Sequence, residues 1–445
     1  MSPKLGPFFN EKLECLPRNE LRELQARKLR QVIHYAYDNS PFYKRSLDRV
    51  GLKPGDFNGI SDLQKVKLFT TKDDLRENYP FGMLAVPRDK VVEMHATSGT
   101  TGTPTLGLHS ARDLEEWGEI SARSLVMSGL GPADVFQITP SLGMFSGGFG
   151  FYHGARKVGC TIVPSSAGFS KRQIEFMLQL GTTMFSAIVS YGFRLAEVAA
   201  EMGVDPRRDT KVRKGSFGSE IWTREMKRKL SELWDMEPFD IYGSTELSGP
   251  GVGNDCHVHD GLHIWEDQFV TEIVDPKTGE VLGPEEEGEL VFTTLSREAM
   301  PLLRYRSRDI SSLLDQTACE CGRTHEKYSE IRARADDMLK LSGVNFWPSE
   351  VETILLRRGD LGTEYQIHIS RVNSTDSMAI TVEAKDAKLD LMSKEKLAKS
   401  LEKELHDVLL FTPKVLIVEP NTLPRVEVGK ARRVYDERSA CPSEF

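Results

Sequence analysis

The amino-acid sequence predicts an α/β fold: a large N-terminal body with parallel sheets and an antiparallel subdomain, followed by a small α+β C-terminal domain. Three observations predict it. From about residue 90, short Val/Ile/Thr-rich runs alternate with helical stretches and glycine clusters. Between 262 and 315, strand-like runs follow one another around strong turn signals. From about 337 the chain has strands and a helix of its own, enough for a separate small domain.

Taken in order, Leu21, Leu24, Leu29, Val32, Ile33 and Tyr37 recur at three-to-four spacing among charges, which predicts one or two amphipathic helices serving as scaffold. Arg112 to Met127 and Lys171 to Leu180 read as helices of the body. Phe269 to Val274, Glu289 to Thr294 and Asp309 to Leu314 read as strands, with Asp275-Pro276-Lys277-Thr278-Gly279 as a turn. In the last segment Tyr365 to Ser370 and Ser377 to Ala384 read as strands and Ser393 to Val408 as a helix. The domain boundary falls at 335/336, giving units of 1–335 and 336–445. There is no internal repeat and no low-complexity stretch.

A chain of 445 residues, 39% hydrophobic, has enough apolar material for a sizeable core in each unit. The net charge of -8, without a dense Lys/Arg stripe, argues against nucleic acid or an anionic membrane as partner. No run of eighteen apolar residues occurs, and Met1 to Asn10 lacks a signal-peptide layout, so a soluble cytoplasmic protein is expected. Six cysteines over this length do not make a secreted disulfide framework; they are buried thiols or metal ligands. A homodimer is open to the chain, but the sequence does not choose an oligomeric state.

Thr97-Ser98-Gly99-Thr100-Thr101-Gly102-Thr103-Pro104-Thr105 holds five threonines, one serine and two glycines in nine positions. Glycines let backbone N–H groups turn inward around an anion, and hydroxyls donate further hydrogen bonds to phosphate oxygens. A triphosphate is the natural guest, although a surface turn rich in Ser and Thr has the same composition. No lysine follows Gly102, so this is not the ordinary lysine-containing phosphate loop.

At this loop the sequence begins to resemble the phenylacetate-CoA ligase family of the adenylate-forming superfamily. Tyr242-Gly243-Ser244-Thr245-Glu246, Tyr305-Arg306-Ser307-Arg308-Asp309, Arg334-Ala335-Asp336-Asp337-Met338 with Gly343, Pro348 and Glu352, and Pro424-Arg425 through Gly429-Lys430-Ala431 follow in the order of that family's motifs. Asn39-Ser40-Pro41-Phe42-Tyr43 resembles its N-terminal stretch, so the likeness runs nearly end to end.

The resemblance implies an enzyme that uses ATP and magnesium to convert a carboxylic acid to its acyl-adenylate, then transfers the acyl group to coenzyme A. It implies that Thr97, Ser98, Gly99, Thr100, Thr101 and Gly102 hold the phosphates and that Glu246 binds magnesium. Thr245 would donate to the α-phosphate, with Gly243 beside it, and Tyr242 would lie against the adenine. Asp309 would accept both ribose hydroxyls, and Arg334 would be among the residues that bind the nucleotide. Phe217-Gly218-Ser219-Glu220 resembles the F-G-A-E-P-W strand end that shapes the adenine and acid sites, with Ser219 and Ile221 replacing Ala and Pro. Lys430 would bridge the acid and the α-phosphate as the catalytic residue, and Asp336 would be the hinge of a mobile C-terminal domain. Ala333 and Phe346-Trp347 depart from the family, and the latter pair puts bulk near the thiol tunnel.

Leu142-Gly143-Met144-Phe145-Ser146-Gly147-Gly148 resembles the wall of the acid pocket, where Leu142 replaces a Tyr and Phe145 remains to stack on a ring. With Gly218 and Ser219 these residues point to an aryl or arylacetic acid, its identity undecided. Two other outcomes stay open: delivery of the acyl group to an amine, hydroxyl or carrier-protein thiol, and a non-catalytic nucleotide-binding protein. Cys256, His263, Cys319 and Cys321 offer the three thiolates and one imidazole of a closed zinc site, with His257, His259 and His325 competing for the nitrogen position. Relatives in the family carry cysteine, Gly-Leu-His and C-x-C-G-R-T-H at these places, which implies structural zinc on the first four.

Overall fold

Leu21, Leu29, Val32, Ile33 and Ala36 bury one face of a helix that runs Arg18–Asn39. A second helix, Pro41–Arg49, follows after Ser40, with proline in its first turn, where no amide donor is needed. The computed structural model describes residues 7–97, 103–221, 223–314, 318–341, 344–372, 375–426 and 432–438. The first helix rests on the antiparallel part of the body, where Gln25 donates to the Phe269 carbonyl at 2.8 Å and Lys28 to that of Asp267 at 2.8 Å.

An eight-stranded sheet forms the centre of the body, in the order Lys327–Tyr328, Leu262–Ile264, Gly249–Asp255, Glu237–Ser244, Lys214–Gly218, Met184–Ile188, Val135–Ile138, Thr161–Val163. Its last five strands are parallel, and the first three join antiparallel. Helices Ala111–Met127, Ser146–Val158, Ser170–Leu180, Val189–Glu201 and Arg224–Trp234 supply the apolar faces that cover it. Val135–Ile138 lies between Thr161–Val163 and Met184–Ile188, so strand order reverses there. Ligands of such sheets bind outside the carboxyl ends of the strands near this point. The run Gly249-Pro250-Gly251-Val252-Gly253 lies inside a strand and is no dinucleotide loop.

A second sheet, Phe269–Val274, Glu287–Thr294, Tyr305–Ser312 and Ala333–Arg334, is antiparallel throughout. Asp275 makes its turn by accepting from the amides of Lys277 and Thr278, both at 2.7 Å. Beyond it come a short hairpin, Leu339–Leu341 with Val344–Phe346, helix Pro348–Arg357, and the sheet Lys414–Val418, Thr375–Ala384, Leu361–Val372, Val434–Asp436. Helix Leu391–Leu409 packs Leu397, Leu401, Leu405 and Leu409 onto this sheet to make a core of its own. Phe346 is turned into that core against Phe411, with ring centroids 5.3 Å apart, so its bulk faces inward.

Candidate active site

The parallel strands deliver the site. Strand Lys214–Gly218 ends at Gly218, where a Cβ would lie 2.3 Å from the Ile241 carbonyl oxygen, so only glycine lets the two strands approach. Ser219 then adopts a left-handed φ of 69°, a strained geometry of the kind that gathers at functional sites. The Glu220 carboxylate is already held, accepting from the Ser190 amide at 2.8 Å and from its hydroxyl at 3.0 Å. The neighbouring strand Glu237–Ser244 carries Tyr242 and Gly243; a Cβ on Gly243 would meet the Gly249 carbonyl oxygen at 1.9 Å. Thr245 and Glu246 follow in a single 3-10 turn.

Asp309 joins these residues from the antiparallel sheet. Tyr242 donates its hydroxyl to Asp309 Oδ2 at 2.7 Å, and Arg334 Nη1 donates to Asp309 Oδ1 at 2.9 Å. Burial, and then the Asp309 charge, push the Tyr242 hydroxyl well above its ordinary range, so it stays a proton donor. One face of the Tyr242 ring stacks on Phe292, 5.9 Å between centroids. Arg334 also donates from Nε to Asp336 Oδ1 at 3.1 Å, and Arg308 reaches Asp336 Oδ2 at 3.5 Å. Burial opposes ionisation of Asp336, but the two arginines outweigh it and hold the carboxyl below the usual range.

Glu246, 3% exposed, faces the hairpin Val91–Ala96 with Leu106–Ser110. Thr105 donates to Glu246 Oε1 at 2.8 Å, and its own amide donates to Thr97 Oγ1 at 3.0 Å. Ser98, Gly99, Thr100, Thr101, Gly102, Gly343 and Lys430 lie outside the described residues. Two cations that sequence reasoning missed stand here. Lys72 Nζ is 3.5 Å from Glu246 Oε1, and buried Arg297 donates to the main-chain oxygens of Glu246 and, at 2.9 Å, Leu108. In the sequence Lys72 shows only a helix start, the Thr71/Asp74 capping box, and nothing marks Arg297.

The predicted acid-pocket loop is drawn into the same place. The Leu142 amide donates to Ser166 Oγ at 3.1 Å, the Met144 carbonyl accepts from the Ala96 amide at 2.8 Å, and Ser146 Oγ lies 3.0 Å from Thr245 Oγ1. Phe145, 44% exposed, precedes the helix Ser146–Val158, an open aromatic face next to the Thr245 turn.

A second constellation lies away from this site, past strand Gly249–Asp255, where strand Leu262–Ile264 pairs with Lys327–Tyr328. Cys256, His263, Cys319 and Cys321 are all buried, and their ligand atoms lie within 4.8 Å of one another. The Cys256 and Cys319 sulfurs are 3.7 Å apart, and Cys321 Sγ is 3.4 Å from His263 Nε2. Two zinc–sulfur bonds of about 2.3 Å at a tetrahedral angle would set sulfurs roughly 3.8 Å apart, so the donors fit that ion. His263 Nδ1 faces the His325 carbonyl at 3.2 Å, the second hydrogen bond that leaves Nε2 as the donor atom for a metal. Of the competing histidines, His325 is spoken for by the Leu13 carbonyl and the Glu266 amide, and His259 by Asp255 and Glu237.

Residues 20–296 match the model of AMP-binding enzymes, and residues 343–438 that of the AMP-binding enzyme C-terminal domain. Over 437 residues, covering 97% of this chain and 98% of the relative, the sequence is 40% identical to a phenylacetate-coenzyme A ligase of Aromatoleum evansii. The chain belongs to the phenylacetate-CoA ligase family of adenylate-forming enzymes. It is an AMP-forming ligase that adenylates a carboxylic acid with ATP and transfers the acyl group to coenzyme A. Among solved structures, this ligase superposes with a TM-score of 0.92 and 26% identity on 2-hydroxyisobutyryl-CoA ligase in its postadenylation state, covering 99% of this chain and 94% of that one. Against the thioesterification state of the same protein the TM-score falls to 0.72 at 27% identity, with the same coverage. Among the described residues no helix is long and apolar enough to cross a membrane.

Proposed function

We propose that this ligase activates an aryl or arylacetic acid. The observation that carries the reading is the convergence, at the carboxyl ends of adjacent parallel strands, of Gly218 and Ser219, the Thr245 turn and the loop from Leu142 to Phe145. Phe145 brings an aromatic face to this place and Ser219 a hydroxyl, which suit a ring bearing a polar substituent. Its likeness to phenylacetate-coenzyme A ligases supports the same substrate class.

In this reading Asp309 accepts the ribose hydroxyls, oriented by Arg334 and Tyr242. Thr97 to Gly102 cradle the phosphates and Thr245 donates to the α-phosphate. Lys72, beside Glu246, adds positive charge where pyrophosphate leaves. The buried carboxylate of Glu246 would be the protein donor for magnesium, an ion usually held by one or two carboxylates and substrate phosphates. Bound there, magnesium would neutralise phosphate charge. Lys430 spans the acid and the α-phosphate as the carboxylate oxygen attacks phosphorus and pyrophosphate departs. The thiol of coenzyme A then attacks the acyl carbonyl and AMP leaves. The units 1–335 and 336–445 turn on Asp336 between the two steps. Cys256, His263, Cys319 and Cys321 hold zinc, which ties the 256–263 and 319–321 segments together, and a reducing cytoplasmic compartment keeps those thiols available.

The test is a panel of benzoates, arylacetates and 2-hydroxyisobutyrate, with adenylates detected by mass spectrometry and AMP release followed with and without coenzyme A. Ring-bearing acids are expected to give adenylate and coenzyme A-dependent AMP release. Preference for the aliphatic hydroxy acid would overturn the reading.

A further inference from the structure

The segment that contains Lys430 is flanked by three arginines, Arg425 before it and Arg432 and Arg433 after it. Arg425 makes a two-pronged pair with Glu383 of the same small domain, Nη1 to Oε1 and Nη2 to Oε2, both at 2.8 Å. Its Nε also donates to Glu197 Oε2 at 3.3 Å, and Glu197 belongs to the body, on helix Val189–Glu201. Arg433 has its close partners in the small domain, 3.9 Å from Glu352 and 3.6 Å from Glu364 with its guanidinium over the Tyr365 ring, and feels the body's Glu220 only at longer range.

The partners therefore divide in two. Pairs to Glu383, Glu352 and Glu364 travel with the small domain in any orientation. The Glu197 pair joins two bodies and depends on how they are set. Leu356, on helix Pro348–Arg357, buries itself at the same boundary among side chains of helices Val189–Glu201 and Arg224–Trp234. The orientation seen here is that of the relative's postadenylation state, not its thioesterification state.

We propose that Glu197 is a positioning residue for adenylate formation: its pair with Arg425 docks the small domain against the body for the first half-reaction and opens for the second. The proposal rests on Lys430 serving the first step. Glu197 touches no substrate; it acts by raising the fraction of molecules in the first orientation. The side chains of Arg425 and Glu197 are 17% and 33% exposed, and a pair of that exposure shifts such an equilibrium by roughly fivefold at most.

The experiment uses full-length Glu197→Gln and measures the two half-reactions separately. The first is ATP–pyrophosphate exchange with phenylacetate or the best acid of the panel. The second is thioester formation from that acid's synthetic adenylate and coenzyme A. Exchange is expected to fall about three- to fivefold in kcat with KM for ATP unchanged, while thioester formation holds or rises. Equal losses in both half-reactions, or no loss in exchange, overturn the proposal. Glu201→Gln is the control, because Glu201 shares Arg194 with Glu197 but does not meet Arg425. It should leave both half-reactions unchanged, and a loss matching that of Glu197→Gln would shift the effect to Arg194 and sink the idea. Lys430→Ala, run alongside, separates the two readings: retained exchange there would remove the role of Lys430, whatever Glu197→Gln shows.

Discussion

Asp309 illustrates how much a single carboxylate is asked to do. Both its oxygens are engaged, Oδ1 by Arg334 and Oδ2 by the Tyr242 hydroxyl, 67 residues away in the chain. Asparagine at this position would turn one acceptor into a donor facing one of those two donors, and would remove the charge opposite Arg334. Asp309→Asn is expected to lower kcat/KM for ATP by about 100-fold, on the order of 2.7 kcal/mol of transition-state stabilisation. Steady-state kinetics with ATP as the varied substrate checks it, and a loss confined to the acid's KM would contradict the ribose role. Asp309 and Tyr242 were each legible from motifs, whereas the bond between them was not. Lys72 and Arg297 were invisible for the same reason: a cation that meets its partner only through folding leaves no local pattern.

At the scale of elements, the side chains of Cys256 and His263 meet those of the Cys319–Cys321 segment in one buried cluster. A closed metal site contributes its binding free energy directly to the fold. Purified protein is expected to contain about one zinc per chain by elemental analysis. Cys319→Ser should lose the zinc and lower the thermal midpoint, and a zinc-free wild type of unchanged stability would refute the assignment. Nearby, His259 lies between Asp255 at 3.0 Å and Glu237 at 3.3 Å. Hydrogen bonds to Asp255 and then Glu237 raise its pKa to about 9, against the usual value near 6.5. Because the folded-state value is the higher one, the stabilisation is complete below about pH 6.5 and disappears as pH rises through 9. Urea denaturation of wild type and His259→Gln should therefore show a stability gap at pH 6 that closes by pH 9.5.

For the molecule as a whole, the proposed mechanism depends on two orientations of one small domain. The proposed hinge Asp336 pairs with Arg334 and Arg308, and Arg334 ties it to Asp309. Proline there would remove an amide donor and restrict φ, stiffening the turn in one orientation. Asp336→Pro is expected to keep ATP–pyrophosphate exchange within a few fold while thioester formation from synthetic adenylate drops by about 100-fold. Parallel losses of both activities would show that Asp336 is no hinge. Small-angle scattering with and without coenzyme A gives the same test without chemistry, since the variant should show no change in shape.

By itself the sequence determined the strand-and-helix alternation, the turn at Asp275, the helices from Arg18 to Arg49 and the ordered motifs that placed Tyr242, Glu246 and Asp309 in one family of sites. Those features are written in neighbouring residues, through hydrophobic period, turn chemistry and short motifs, so they can be read along the chain. Only the tertiary structure decided that Glu246 faces Lys72 and Thr105, that Cys256, His263, Cys319 and Cys321 meet in one buried cluster, that Phe346 points into the small-domain core, and that Glu197 meets Arg425. Each of these is a contact between residues distant in the chain, and its partner is chosen by how sheets and domains stack, which no local pattern of side chains encodes.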